Sequence, residues 1–308
     1  MNNRIKEVLD VLDIPESGMV FRKINDEYWG RNSEGFVVYG DKAVDNPRAI
    51  IESTKSLTLY LNAYCEVVEN NNTSIERLNI IILKKTEYLD IFINLTEVYN
   101  LNKEKYSFLQ FFMYLKDLFS YDAKSGSIQV QGLYAELYTI YYFKEYYDFD
   151  LSNYYQSKSK MKFDFSIDSK RKIDVKSTTK EERIHHFKNE QLNTLRYDIK
   201  IVSILLLADD RGLTLYDLIE RCKTAFSNNF LIQIYIEKIK KSISIDELKL
   251  TAYNENYIID NIKVFDALNI PRISEKNDEG IFNIEYDSNL TTAENLSSDD
   301  FINWASGE

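Results

Sequence analysis

Cysteine and histidine are scarce in this chain. Its two cysteines, Cys65 and Cys222, stand far apart with no CxxC pair, so neither a disulfide framework nor a zinc ribbon is supported, and both are expected as buried apolar residues. The only two histidines, the adjacent His185 and His186, effectively exclude HNH, zincin and HEPN-type catalytic motifs. No apolar run approaches the roughly 20 residues of a membrane span, and Met1-Asn2-Asn3-Arg4-Ile5-Lys6-Glu7 has no signal-peptide core. The chain is therefore expected to be soluble and cytoplasmic, with no membrane partner. Internal repeats, heptads and low-complexity blocks are absent from the sequence. Basic charge is in deficit as well: the formal net charge is −11 and the pI is near 4.9. Such a balance argues against the whole-surface attraction to nucleic acid that strongly basic domains show.

What is present is 308 residues of 44% hydrophobic composition, enough to bury a substantial core and to form two modest domains. Charge is unevenly spread. Between Gln156 and Glu190 ten Lys or Arg face six acids, a net of +4, whereas Glu275 to Glu308 carries nine acids against Lys276 alone, a net of −8. The acidic end reads as a solvated tail.

Apolar spacing predicts a short helix over residues 1–13, then strands at 20–21, 35–39, 57–68, 78–83 and 88–95. Residues 1–104 thus form a β-rich accessory region. A helix follows over 105–119, with Phe108, Phe111, Phe112, Leu115 and Phe119 on one face, and a break at Ser125-Gly126 precedes a second helix through Gly132–Phe143. On that helix Glu136 lies one turn from both Gly132 and Ile140, on a largely apolar face where a carboxylate needs a metal, a partner or a proton. Next come a strand hairpin over 162–167 and 171–177, a helix over 188–197 and a central strand over 199–208. An amphipathic helix at 213–226 leads to extended segments at 230–236 and 257–264 and a closing strand pair at 270–273 and 281–286. The region 105–275 is read as the core and 276–308 as a closing strand and tail.

The chemistry concentrates in that hairpin. Five Asp/Glu-x-Lys triplets occur, at 122–124, 168–170, 174–176, 198–200 and 247–249, so the triplet alone says little. Asp174-Val175-Lys176 stands out because it lies on an alternating strand, follows Asp164 in Phe163-Asp164-Phe165 by ten residues, and comes after Glu136. Residues two apart on a strand share a face, so Asp174 and Lys176 can address one water while Val175 turns to the core. The rival Asp198-Ile199-Lys200 has no Asp-bearing strand just before it. The plainer alternative is four paired surface charges, which contribute little to stability. The adjacency of His185 and His186 puts them on opposite faces of a strand or roughly 100° apart on a helix, and one could meet a phosphate beside the basic window or serve as a structural, hydrogen-bonded histidine.

Taken together, Gly132-Leu133-Tyr134-Ala135-Glu136-Leu137, Phe163-Asp164-Phe165 and Ile173-Asp174-Val175-Lys176-Ser177-Thr178, with Arg183-Ile184-His185 and Gln191-Leu192 downstream, resemble the PD-(D/E)XK nuclease superfamily. They are similar in particular to a prokaryotic family of PD-(D/E)XK-motif proteins encoded near restriction and phage-defence genes. The resemblance covers about 130–275, with Ile270-Pro271-Arg272-Ile273 as a late Pro-Arg signature. Phe163 stands where the superfamily's proline would be, and Gln191 to Tyr197 is longer than the Gln-x-x-x-Tyr of exonuclease-like members.

The resemblance implies an α+β, restriction-endonuclease-like core, a mixed sheet flanked by helices. It implies Mg²⁺, or Mn²⁺, held by Asp164, Asp174 and the Val175 carbonyl, with Glu136 as a direct or water-mediated ligand and Lys176 positioning the attacking water. DNA is the implied substrate, with Lys172, Lys180, Arg183 and His185 as nucleic-acid contacts. A homodimer and restriction or phage-defence partners are implied by analogy. A partner-dependent binding or scaffold subunit and a DNA-repair nuclease are the other readings.

Overall fold

The computed structural model describes residues 2–43, 49–69, 72–120, 130–155, 162–192, 194–273 and 283–307. Several expected features lie outside them: the Ser125-Gly126 break, Lys158 and Lys160 of the basic window, and Ile281-Phe282 of the closing pair. The chain forms two compact units, one of residues 1–124 with 228–238, the other of 125–227 with 239–308. The first therefore takes in the 105–119 segment that the sequence groups with the core.

In the first unit the elements are α1 (Asn2–Asp10), β1 (Met19–Ile24), β2 (Glu27–Asn32), β3 (Val37–Lys42), β4 (Ile50–Ser53), β5 (Leu57–Glu69), β6 (Asn72–Leu83), α2 (Leu89–Asn100) and α3 (Phe108–Ser120). The strands form one antiparallel sheet in the order β1-β2-β3-β6-β5-β4. One face carries Trp29, Tyr39, Leu59 and Ile81 against Phe92, Tyr99 and Phe111 of the helices. Trp29 is fully buried, 5.0 Å from the Tyr39 ring and 5.9 Å from that of Phe92. The opposite face gathers Phe21, Tyr28, Val38, Ile80 and Ile82, and β1 approaches β5, so the sheet curls over this smaller cluster. Where a strand is expected over 88–95 the chain is helical, because Phe92, Leu95 and Tyr99 recur at helical spacing and face the core together.

The second unit contains α4 (Val130–Tyr147), β7 (Phe165–Ser166), β8 (Arg171–Thr178), β9 (Ile184–Lys188), β10 (Asp198–Leu205), β11 (Ala208–Thr214) and α5 (Leu215–Ala225). Helix α6 (Phe230–Ser242) comes next, its residues 230–238 belonging to the first unit; then α7 (Ile245–Leu250), β12 (Ala252–Tyr253), α8 (Glu255–Asn261), β13 (Lys263–Asp266), β14 (Glu285–Asn289), β15 (Asn295–Leu296) and α9 (Ser298–Ser306). A five-stranded sheet in the order β15-β13-β10-β8-β7 is parallel between β8 and β10 and antiparallel elsewhere. This is the mixed α+β core expected, with α4 packed against β8 and β10 central and buried from Ile199 to Leu205.

Four local expectations give way in this region. Residues 230–236 are helical: an apolar run buried nearly all round carries no period to separate helix from strand. Residues 257–261 belong to α8, which Asn254 caps by accepting the Tyr257 N–H; only 263–266 is extended. The helix expected over 188–197 is one 3₁₀ turn, Asn189–Leu192. Finally, β14 pairs with β9 rather than with 270–273.

Among its described residues, 283–307, the acidic end carries elements of its own, β14, β15 and α9. Ser297 accepts the Asp300 N–H as N-cap of α9, and Asp299 and Asp300 occupy its first turn, where the helix dipole favours carboxylates. Phe301 is buried with its ring 4.8 Å from Phe143. Cys222 is buried and Cys65 partly so. No helix among the described residues is long and apolar enough to cross a membrane.

Candidate active site

The residues of interest meet where the β7–β8 hairpin begins. Phe165 pairs with Ile173 and Ser166 with Lys172, so extending this register by one step sets Asp164 opposite Asp174. Asp164 is fixed by the Val175 backbone N–H, which donates to its Oδ2 at 2.7 Å. Asp174 is almost completely buried, 2% exposed, whereas Val175, expected to turn into the core, is only half-buried. Strand β9 and the turn that follows it explain this, since they cover the face that Asp174 and Lys176 share. Phe187 lies there with its ring centroid 5.3 Å from Lys176 Nζ, and Gln191 Nε2 donates to Asp174 Oδ1 at 3.0 Å. On α4, half-buried Glu136 accepts the Tyr155 hydroxyl proton at 2.8 Å.

Lys176 Nζ lies 2.9 Å from the buried Asp174 Oδ2 as an ion pair, and no other donor reaches that oxygen. Electrostatics at this point is unfavourable. Burial, then the negative charges of Asp174 and Glu136, push the Asp164 carboxyl well above the usual carboxylate range, against the Val175 N–H and the Lys176 ammonium. Asp174 is also raised by burial, with Lys176 and Gln191 pulling the other way. Two neighbouring buried aspartates, with Glu136 close enough for its charge to act on Asp164, suit a hard, oxygen-seeking divalent cation, which commonly takes one or two carboxylates and keeps several waters. Among the described residues no three Asp, Glu, His or Cys side chains close into a cage, so water and the backbone would complete the coordination.

Gln191 is the site member whose role the sequence leaves undefined. Its Oε1 accepts from Lys176 Nζ at 3.4 Å and from the Lys188 N–H at 3.0 Å while its amide reaches Asp174, so one side chain ties acid and base together. Tyr155 is missed altogether; its hydroxyl meets Glu136 only because the chain returns after α4, a tertiary relation without local signal.

The rival triplet has a structural role. Lys200 is 5% exposed and held by Asp198 at 2.8 Å and Asp266 at 2.7 Å.

The expected nucleic-acid contacts divide. Lys180 is exposed, and half-buried Lys172 donates to Ser166 Oγ and the Asp168 carbonyl. Arg183 and His185 are instead internal, 4% and 3% exposed, because β9 and the residue that leads into it turn both side chains inward. Arg183 donates to the Ser203 carbonyl and hydroxyl, each at 3.0 Å, and to the Asn261 carbonyl. His185 Nε2 sits 2.7 Å from the same hydroxyl, while His186 faces solvent beside Asp287 and Glu285.

Burial, then the charges of Lys176 and Arg183, push His185 down to about 4 from 6.5. A neutral ring can accept from Ser203 Oγ while that oxygen accepts from Arg183; a protonated ring cannot. Because the unfolded chain takes the proton first, stability is complete above the unfolded pKa and falls as pH drops from 6.5 toward 4, by ~3 kcal/mol for a shift of this size. Thermal midpoints measured across this window should fall in the native chain, and His185→Gln should remove most of that slope.

A family model described as "Putative PD-(D/E)XK family member, (DUF4420)" matches residues 31–291, reaching well upstream of the 130–275 segment that carries the motif resemblance. No curated protein and no solved structure matches the chain.

Proposed function

The chain belongs to the DUF4420 family of PD-(D/E)XK proteins, and from that membership we propose that it is a divalent-metal-dependent DNA endonuclease acting in restriction or anti-phage defence. The observation that carries this reading is the meeting of Asp164 and Asp174 at the mouth of the hairpin, Asp164 held by the Val175 N–H at 2.7 Å and Lys176 2.9 Å from the buried Asp174. Asp164, Asp174 and the Val175 carbonyl would hold Mg²⁺ or Mn²⁺, with Glu136 as a direct or water-mediated ligand; both ions accept such oxygen donors. When bound, the cation supplies Lewis acidity and a more acidic water.

The chain's own residues do the rest. Lys176, paired with Asp174 and 20% exposed at its side chain, can orient the attacking water and stabilise charge gathering on the phosphoryl oxygens. Gln191 keeps Asp174 and Lys176 in register, and Tyr155 fixes the Glu136 rotamer. A homodimer would supply a second site for cutting both strands, and restriction or defence proteins are the partners this reading suggests.

The test is incubation of purified protein with supercoiled, linear and single-stranded DNA and with RNA, in Mg²⁺, Mn²⁺ or EDTA, beside Asp174→Ala and Lys176→Ala. Divalent-dependent DNA cleavage lost in both variants is the expected result. Absence of cleavage on every substrate, with binding retained, would overturn the enzyme in favour of a partner-dependent binding subunit, a role that suits the net charge of −11.

A further inference from the structure

Just past Gln191, the chain turns outward before entering β10. Leu195 there is 90% exposed, the most exposed of the large apolar side chains described. One exposed leucine is ordinary on a protein surface; its surroundings are not. Arg196 follows it and lies 5.2 Å over the Tyr197 ring, and Lys172 Nζ lies 5.7 Å over the same ring. Lys170, Arg196 and Tyr197 line one groove of about 330 Å³ together with Asp198 and Asp266.

The acids of that groove are already engaged. Lys200 bonds both, at 2.8 and 2.7 Å, and the Trp304 indole donates to Asp198 Oδ2 at 2.6 Å. By contrast no carboxylate lies within ion-pair distance of Lys170, Lys172 or Arg196 among the described residues. Three cations without acidic partners thus surround an apolar tip, on the same hairpin and loop that hold Asp174.

We propose that residues 194–197 form a wedge for duplex nucleic acid: Leu195 enters a base step while Lys170, Lys172 and Arg196 take the flanking phosphates. Apolar side chains inserted between base pairs kink the duplex and are combined with cationic backbone contacts. A stacking platform for single strands fits less well. Tyr197, the one aromatic at the tip, already meets both cations and the Phe163 ring, with centroids 5.4 Å apart. The proposal rests on the nuclease reading of the adjacent site and adds how the substrate is seated there.

The experiment uses the full chain in EDTA with a set of duplexes, each carrying one 2-aminopurine at a successive step, and follows fluorescence and anisotropy together. The native chain should raise fluorescence several-fold at one or two steps, and Leu195→Ser should return it to that of free duplex. Because that side chain is almost wholly exposed, folding is not at risk. Arg196→Gln should lower the slope of log K against log salt by about 0.9, one phosphate contact. In Mg²⁺, Leu195→Ser should lose roughly tenfold in duplex cleavage, the size of one modest substrate contact. Equal fluorescence enhancement in Leu195→Ser, or none at any step in a native chain that binds and cleaves duplex, would overturn the wedge alone. Failure of the native chain to bind any duplex, in EDTA and in Mg²⁺ alike, with no cleavage in Mg²⁺, would overturn wedge and nuclease together.

Discussion

Asp164→Asn is expected to make the metal-free protein more stable while removing the cleavage activity proposed for it. The aspartate faces Asp174 across the hairpin and feels Glu136 as well, and its carboxyl is held well above the usual range by burial and by those two charges. A raised carboxyl pKa means that the folded chain holds the proton longer than the unfolded chain. Stability is therefore present at low pH and is lost as pH rises from 3.8 through the folded value. Asparagine has no charge to suppress, and its Oδ1 can still accept the Val175 N–H, so the hydrogen bond survives and the repulsion goes. A rise in thermal midpoint of roughly 2–4 °C at neutral pH is expected, the shift that about 1 kcal/mol produces in a domain of this size.

Activity should fall by ~10²–10³-fold, the scale for losing one preorganised electrostatic partner. Adding Mg²⁺ should reverse the stability order, raising the midpoint of the native chain by mass action and leaving that of Asp164→Asn nearly unmoved. Differential scanning fluorimetry with and without Mg²⁺ measures this; a native chain more stable than the variant in EDTA would contradict it.

The second large effect lies in the first unit and concerns stability only. Gly30, in β2, pairs with Phe21 on one side and Val38 on the other. A Cβ added there would sit 1.8 Å from the Val20 carbonyl oxygen and 2.9 Å from its carbon. Both are backbone atoms of the neighbouring strand, so no rotamer change can relieve the contact. For Gly30→Ala, β1 must peel from β2 or the sheet must bend around the methyl group, at an expected cost of ~3 kcal/mol or more. Urea unfolding followed by the fluorescence of the adjacent, fully buried Trp29 should show a midpoint displaced to lower denaturant. Gly35→Ala probes a different origin: its φ of +79° would strain alanine, but the nearest contact is the movable end of Ile14 at 3.1 Å, and the loss should be smaller.

How much was legible in the sequence varies with the range of the interaction. The hairpin over 162–177 can be read locally, because alternation, a turn at Asp168 and the ten-residue spacing of two aspartates are short-range properties. That spacing brings Asp164, Asp174 and Lys176 together. Gln191, quoted in the motif resemblance without a role, and Tyr155, which no local pattern marks, join the site only through tertiary folding. Arg183 and His185 mislead for a related reason: basic residues on a strand resemble a phosphate-binding face until β9 is seen to turn them toward Ser203. The helices at 89–100 and 230–242 are rich in β-branched and aromatic residues that favour strands; the first keeps a helical period in Phe92, Leu95 and Tyr99 that composition outweighs, and in the second burial nearly all round removes the period.

Helix α9 carries a practical consequence for anyone who shortens or tags this chain. Its last carbonyls, those of Trp304 and Ala305, accept from the Arg171 guanidinium of β8 at 2.6 and 3.3 Å, and its indole holds Asp198. Trimming the chain after Leu296 would strip β8 and β10 of these fastenings and leave Phe143 facing water in place of Phe301. An affinity handle fused beyond residue 308 should therefore be joined through a flexible spacer, since the final turn ends at Gly307, in a left-handed conformation with φ of +86° and packed beside Arg171.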